Sequence, residues 1–233
     1  MSLRVCVYGS SSKKTPAAYL EAASVLGTEL ASRGHTCING GGAHGVMGAL
    51  NRACKAVGGR VVGVCHEMFV DGDITEMFRG FELVVTRGGD LTERKAALVA
   101  HSDCFIALPG GPGTWDELWE VACARQLGIA RSGPICLLNT DGYYDGFVQQ
   151  IERAYVDQIL HKPPREFIHV VEDPIDAVDW CEAHVKDGTR MPSPVPQRAS
   201  TLGLSFSHFP ALFWIALGAL GGSLATLASV RRR

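Results

Sequence analysis

No Cys-x-x-Cys pair, no surplus of either charge and no internal repeat is found in the sequence, and each absence removes a class of protein. Without paired spacing, the 8 cysteines do not read as a zinc site or a disulfide framework. Cys6, Cys37, Cys65, Cys104 and Cys136 lie in or beside apolar β-like runs, which predicts reduced, buried thiols that behave as small hydrophobes. A formal net charge of −2 lacks the basic surface that releases counterions from nucleic acid, so no nucleic-acid partner is expected. The opening residues MSLRVCVYGSSS carry no long apolar leader and go straight into a strand. With 46% hydrophobic and only 20% charged residues, the chain has the apolar content of a globular domain rather than a disordered one.

What is there is an alternation of short apolar runs and helical patterns. The runs are 3–9, 35–39, 60–65, 82–85, 103–109, 134–139 and 167–171. Helices are predicted between them, including one opened by Thr15-Pro16 with Thr15 as N-cap, one through Ala56, one from Thr92 to His101 and one from Thr114 to Gln126. Residues 66–80, with Asp71, Asp73 and Glu76, read as irregular. Alternating βα units predict an α/β, Rossmann-like parallel sheet with helices on both faces, spanning residues 1–187. The Pro-, Ser- and Gly-rich stretch 188–208 reads as a linker.

In such a sheet, ligands sit beyond the C-terminal strand ends, where loops lead into helix N-termini. Three of these loops are rich in small residues: Gly9-Ser10-Ser11-Ser12, Gly40-Gly41-Gly42 through Gly48, and Pro109 to Thr114. Glycine lets backbone approach a ligand, and free N–H groups at a helix start favour an anion. One such loop is as often only a tight turn; three at one edge point to a phosphate-bearing ligand. Gly40-x-Gly42-x-x-Gly45 also fits the dinucleotide fingerprint, but it follows the second strand and lacks a well-placed acidic partner, which argues against a nicotinamide enzyme.

Glu117 has two readings. Thr114-Trp115-Asp116-Glu117 fits a capping box, in which Glu117 reaches back to the N-cap N–H, and the local pattern alone favours that. Its place one turn inside the helix that closes the Gly110–Gly113 loop argues for chemistry instead. Arg94 opens another helix at the same edge, and its bland reading is a solvated charge paired with Glu93 or Asp90. A carboxylate and a guanidinium meeting there suit glycosidic cleavage. The carboxylate stabilises an oxocarbenium-like sugar or orients water, while the guanidinium binds phosphate or aligns the acid. No metal-ligand cluster and no cofactor site is read.

Gly40-Gly41-Gly42-Ala43-His44-Gly45-Val46-Met47-Gly48, Glu93-Arg94-Lys95 and Pro109-Gly110-Gly111-Pro112-Gly113-Thr114-Trp115-Asp116-Glu117 together resemble the signatures of the "lonely guy" family, over residues 3–187. The resemblance implies hydrolysis of cytokinin riboside 5′-monophosphates to free base and ribose 5-phosphate by a cofactor-free homodimer. It implies Arg94 and Glu117 as the catalytic pair. Lys95 and Gly111, Pro112, Gly113, Thr114, Trp115, Asp116 and Glu117 would contact the nucleotide, with Gly9, Ser10, Gly41 and Gly42 beside it. Asp73 would take the place of a substrate-contacting Glu. Ala43, Pro112, Trp115 and Asp116 depart from the usual residues, which bears on the base released. Family members often carry a lysine decarboxylase label, but no lysine here looks set to hold pyridoxal phosphate. The alternatives are a broader nucleoside monophosphate phosphoribohydrolase and a nucleotide or molybdopterin carrier on the same fold.

Residues 209–230 form an uncharged apolar run followed by Arg231, Arg232 and Arg233. The run is expected to be a helix. Its length and flanks favour a tail anchor holding a cytosolic catalytic domain at an intracellular membrane, against an apolar helix packed on protein.

Overall fold

The structure is a computed structural model that describes residues 1–128 and 133–185. The linker 188–208 and the apolar run 209–230 lie outside the described residues.

Seven strands form one wholly parallel sheet: β1 (Arg4–Tyr8), β2 (Thr36–Asn39), β3 (Arg60–His66), β4 (Glu82–Thr86), β5 (Cys104–Ala107), β6 (Ile135–Leu138) and β7 (His169–Val171). Their order is β4-β3-β2-β1-β5-β6-β7, so β1 is central and the chain reverses direction across the sheet between β1 and β5. The register there pairs Val5 with Cys104 and Tyr8 with Ala107. Every expected strand is present, because strands covered on both faces must be apolar on both.

The helices are α1 (Ala17–Ser32), α2 (Gly45–Ala56), α3 (Gly72–Met77), α4 (Thr92–Ala100), α5 (Pro112–Leu127), α6 (Asp145–Val156) and α7 (Pro174–His184). Strand alternation divides the core. Val5, Val7, Cys37 and Ile106 pack with Leu26, Leu30 and Leu50 on one face. Cys6, Tyr8, Val62, Val64 and Phe105 pack with Leu98 and Leu118 on the other. All eight cysteines are free, and only Cys123 is exposed.

Three local expectations are corrected. Pro16, not Thr15, is the N-cap of α1, and the Thr15 hydroxyl instead donates to the Ser12 carbonyl at 2.8 Å, closing the loop before the helix. Helix α5 starts at Pro112 with Gly111 as N-cap, two residues before the expected start, because Pro suits the first helical position. Residues 66–80 are not irregular: α3 is set by the Asp71 carboxylate, which accepts from the Ile74 N–H at 2.9 Å. Among the described residues, no helix is long and apolar enough to cross a membrane.

Candidate active site

The three glycine- and serine-rich loops meet at the C-terminal edge of β1, β2 and β5. Ser10 joins them: its N–H donates to the Pro109 carbonyl at 3.1 Å, and its own carbonyl accepts from the Met47 N–H at 3.2 Å. Its hydroxyl lies 3.0 Å from Thr15 Oγ1 and accepts from the Ser12 N–H at 3.1 Å, holding the first loop tight. Two glycines are needed for this approach. A Cβ at Gly9 would fall 2.7 Å from Val46 Cγ1, and one at Gly45, whose φ is +59°, would fall 2.6 Å from the Ser10 carbonyl oxygen.

The second loop is anchored from below. Asn39 accepts from the Gly41 N–H at 2.9 Å, and Asn51 on α2 donates to the Gly42 carbonyl at 3.2 Å. The two amides also bond each other at 2.6 Å. Both asparagines are fully buried, so their amides are satisfied by each other and by the loop. Sequence reading missed this pair; a polar residue at the end of an apolar strand and another inside a helix were its only signals. The third loop is held by Tyr143, whose hydroxyl donates to the Gly110 carbonyl, and by Tyr144, which donates to the Leu108 carbonyl at 2.7 Å. Thr114 is buried against Gly110 in the first turn of α5. Gly111, Pro112, Gly113, Trp115 and Asp116 stay exposed around that helix start.

Beside these loops stands the ion pair. Arg94 Nη1 donates to Glu117 Oε1 at 2.6 Å, and each side chain is 11% exposed. Arg94 Nε donates to the Val64 carbonyl at 3.1 Å, which fixes the guanidinium against the end of β3. Asp90 does not hold Arg94; its carboxylate accepts from the Thr92 N–H at 2.9 Å, in the turn that leads into α4. Glu93 is not paired with Arg94 either.

Starting α5 at Pro112 puts Glu117 well past the capping position, and its carboxylate meets Arg94 rather than the helix N-cap. The capping-box reading therefore fails. Burial pushes the Glu117 carboxyl up from its ordinary value, and the charge and hydrogen bond of Arg94 oppose that rise. Such a largely buried, ion-paired carboxylate is suited to electrostatic work or to orienting water.

Lys95 turns away from solvent into two carboxylates, Asp116 at 3.0 Å and Glu120 at 2.8 Å, tying α4 to α5. Asp73 stands on the third side, bonded to His44 Nε2 at 2.8 Å. His44 was not singled out from sequence. Among the described residues, no group of three or more His, Cys, Asp or Glu side chains is arranged to hold a metal ion.

A profile of the family described as "Possible lysine decarboxylase" matches residues 47–181. The chain is 42% identical over 187 residues to cytokinin riboside 5′-monophosphate phosphoribohydrolase LOG5 of Arabidopsis thaliana, covering 79% of this chain and 80% of that protein. It is 36% identical to LOG1 of the same plant, over 87% of this chain and 93% of the relative. The solved molybdenum cofactor carrier protein of Chlamydomonas reinhardtii superposes with a TM-score of 0.56 at 22% identity, covering 79% of this chain and 98% of that one, a likeness of fold alone. By both profile and identity, the chain belongs to the "lonely guy" family of cytokinin riboside 5′-monophosphate phosphoribohydrolases.

Proposed function

We propose that this chain hydrolyses the N-glycosidic bond of nucleoside 5′-monophosphates of the cytokinin type, releasing the free base and ribose 5-phosphate. The observation that carries this reading is the buried Arg94–Glu117 pair beside three converging small-residue loops. The start of α5 receives the 5′-phosphate on the N–H groups of Gly111 and Gly113. As the bond from C1′ to the base nitrogen breaks, the sugar gains oxocarbenium character and the ionised Glu117 carboxylate stabilises it. Water then adds its oxygen to C1′, and the base leaves with the bonding electron pair and takes up a proton. Arg94 aligns Glu117 and keeps it ionised. A carrier function makes no use of such a pair, which favours the hydrolase.

The test is to incubate the purified protein with a panel of nucleoside 5′-monophosphates, including isopentenyl and unsubstituted adenine nucleotides, and to follow base and ribose 5-phosphate. Equimolar release of both products is expected; retention of intact nucleotide across the panel overturns the reading. The working unit is proposed to be a homodimer, checked by light scattering in solution. The apolar run 209–230, flanked by three arginines, supports attachment to an intracellular membrane. The full-length protein is then expected to pellet with membranes and resist carbonate extraction, and recovery in the supernatant without detergent overturns that attachment.

A further inference from the structure

We infer that His44, with Lys13, is a positioning residue that holds the Asp73 carboxylate as a reader of the substrate's ribose hydroxyls. The inference rests on the hydrolase reading above and extends it to a residue that the family signatures do not single out.

The three residues come from three consecutive strand ends. Lys13 follows β1, His44 precedes α2 in the loop after β2, and Asp73 lies in α3 after β3. His44 Nε2 donates to Asp73 Oδ2 at 2.8 Å, and Lys13 Nζ lies 3.8 Å from the same oxygen. Both groups approach the same carboxylate oxygen, His44 by a hydrogen bond and Lys13 at ion-pair distance, and Oδ1 has no partner among the described residues. His44 is held at both ends: Gly45 after it is pressed against the Ser10 carbonyl, and Gly42 before it is bonded to Asn51. Asp71 fixes the start of α3 and with it the position of Asp73.

The same short loop touches the catalytic pair. A Cβ at Gly40 would lie 2.1 Å from Arg94 Nη2, so Arg94 packs against one end of Gly40–His44 and Asp73 is bonded to the other. An ionised carboxylate only accepts hydrogen bonds, and it repels phosphate. The donors that a nucleoside monophosphate offers next to its phosphate are the 2′- and 3′-hydroxyls of ribose. His44, and more weakly Lys13, hold the Asp73 carboxyl below its ordinary value, so it is ready to accept. In the absence of substrate the pair is half exposed and adds little to stability. Its value lies in leaving one oxygen oriented before substrate arrives.

The experiment compares full-length wild type with His44→Ala, His44→Gln, which restores an N–H near the Nε2 position, and Asp73→Asn. Calorimetric titration with ribose 5-phosphate and 2-deoxyribose 5-phosphate is read beside KM and kcat for the nucleotide. His44→Ala and Asp73→Asn are expected to weaken ribose 5-phosphate binding and to raise KM about tenfold, the loss of a charge-assisted hydrogen bond, while kcat falls far less. His44→Gln recovers most of the loss. The deoxy sugar binds wild type weakly, and His44→Ala weakens it little further. Equal penalties for both sugars, or a lowered Tm with unchanged binding, overturn the inference. Wild type that binds ribose 5-phosphate in this pattern yet releases no base overturns the hydrolase reading and leaves the clasp standing.

Discussion

Gly40 and Arg94 are in such close contact that a Cβ at position 40 would meet Arg94 Nη2 at 2.1 Å. The atom in the way is the end of a flexible side chain, and no left-handed backbone angle is required of Gly40. The guanidinium therefore yields before the fold does. Gly40→Ala is expected to lower kcat by at least ~10-fold through displaced Arg94 while moving Tm by only a few degrees. Activity measured beside a thermal melt checks this, and a variant as active as wild type shows that Arg94 need not occupy its present position.

Removing either partner of the pair is more severe. Glu117→Ala and Arg94→Ala are each expected to lower kcat by ~10²-fold or more, the range for a group acting in the transition state. Each also leaves a buried charge unpaired, so some loss of Tm accompanies them. The decisive reading is turnover: Glu117→Ala that melts early but keeps wild-type kcat returns Glu117 to a structural role.

The pH dependence follows from the two opposing influences on Glu117. Burial raises its carboxyl, Arg94 lowers it, and burial dominates. The reaction uses the ionised form, so kcat/KM should fall on the acid side through a value above that of an ordinary glutamate. Arg94→Gln removes the stabilising charge, so the protonated form persists to higher pH and the acid limb moves up. Residual kcat/KM of Arg94→Gln across pH, set against wild type, tests the sign; a limb that moves down contradicts the ion pair's role.

The sequence and the structure agree where local chemistry decides and part where distant residues meet. VCVY of β1, CFIA of β5 and ICLL of β6 are unbroken apolar runs because both faces of a parallel sheet are covered, so strand and fold class could be read directly. The Arg94 and Glu117 motifs could be read for the same kind of reason, each following a strand at one sheet edge. The start of α5 was misread because Thr114 followed by Glu117 mimics a capping box, whereas Pro112 after Gly111 sets the first turn. Helix α3 was missed because the six residues of GDITEM carry too little periodicity, and one Asp71 cap decides it. The bond from His44 to Asp73 spans 29 positions, and no local pattern encodes it.

The requirement for a 5′-phosphate is the most direct test of how the loops are used. Gly111 caps α5, Pro112 removes one N–H, and the exposed backbone of Gly111 and Gly113 leaves donors at the positive end of a helix of 16 residues. Ser10 and Thr114 lie at the base of the same loop, Ser10 through its bond to Pro109 and Thr114 against Gly110. An anion seated there anchors the ribose, and that remote binding energy goes into placing C1′ against Glu117. The matching nucleoside, which lacks the anchor, is expected to show kcat/KM at least ~10²-fold lower, as losing two charge-assisted hydrogen bonds implies. Thr114→Val, which keeps the volume and removes the hydroxyl beside Gly110, should weaken the nucleotide and leave the nucleoside nearly unaffected. Comparable kcat/KM for nucleoside and nucleotide in wild type would place the phosphate outside these loops and assign them to packing alone.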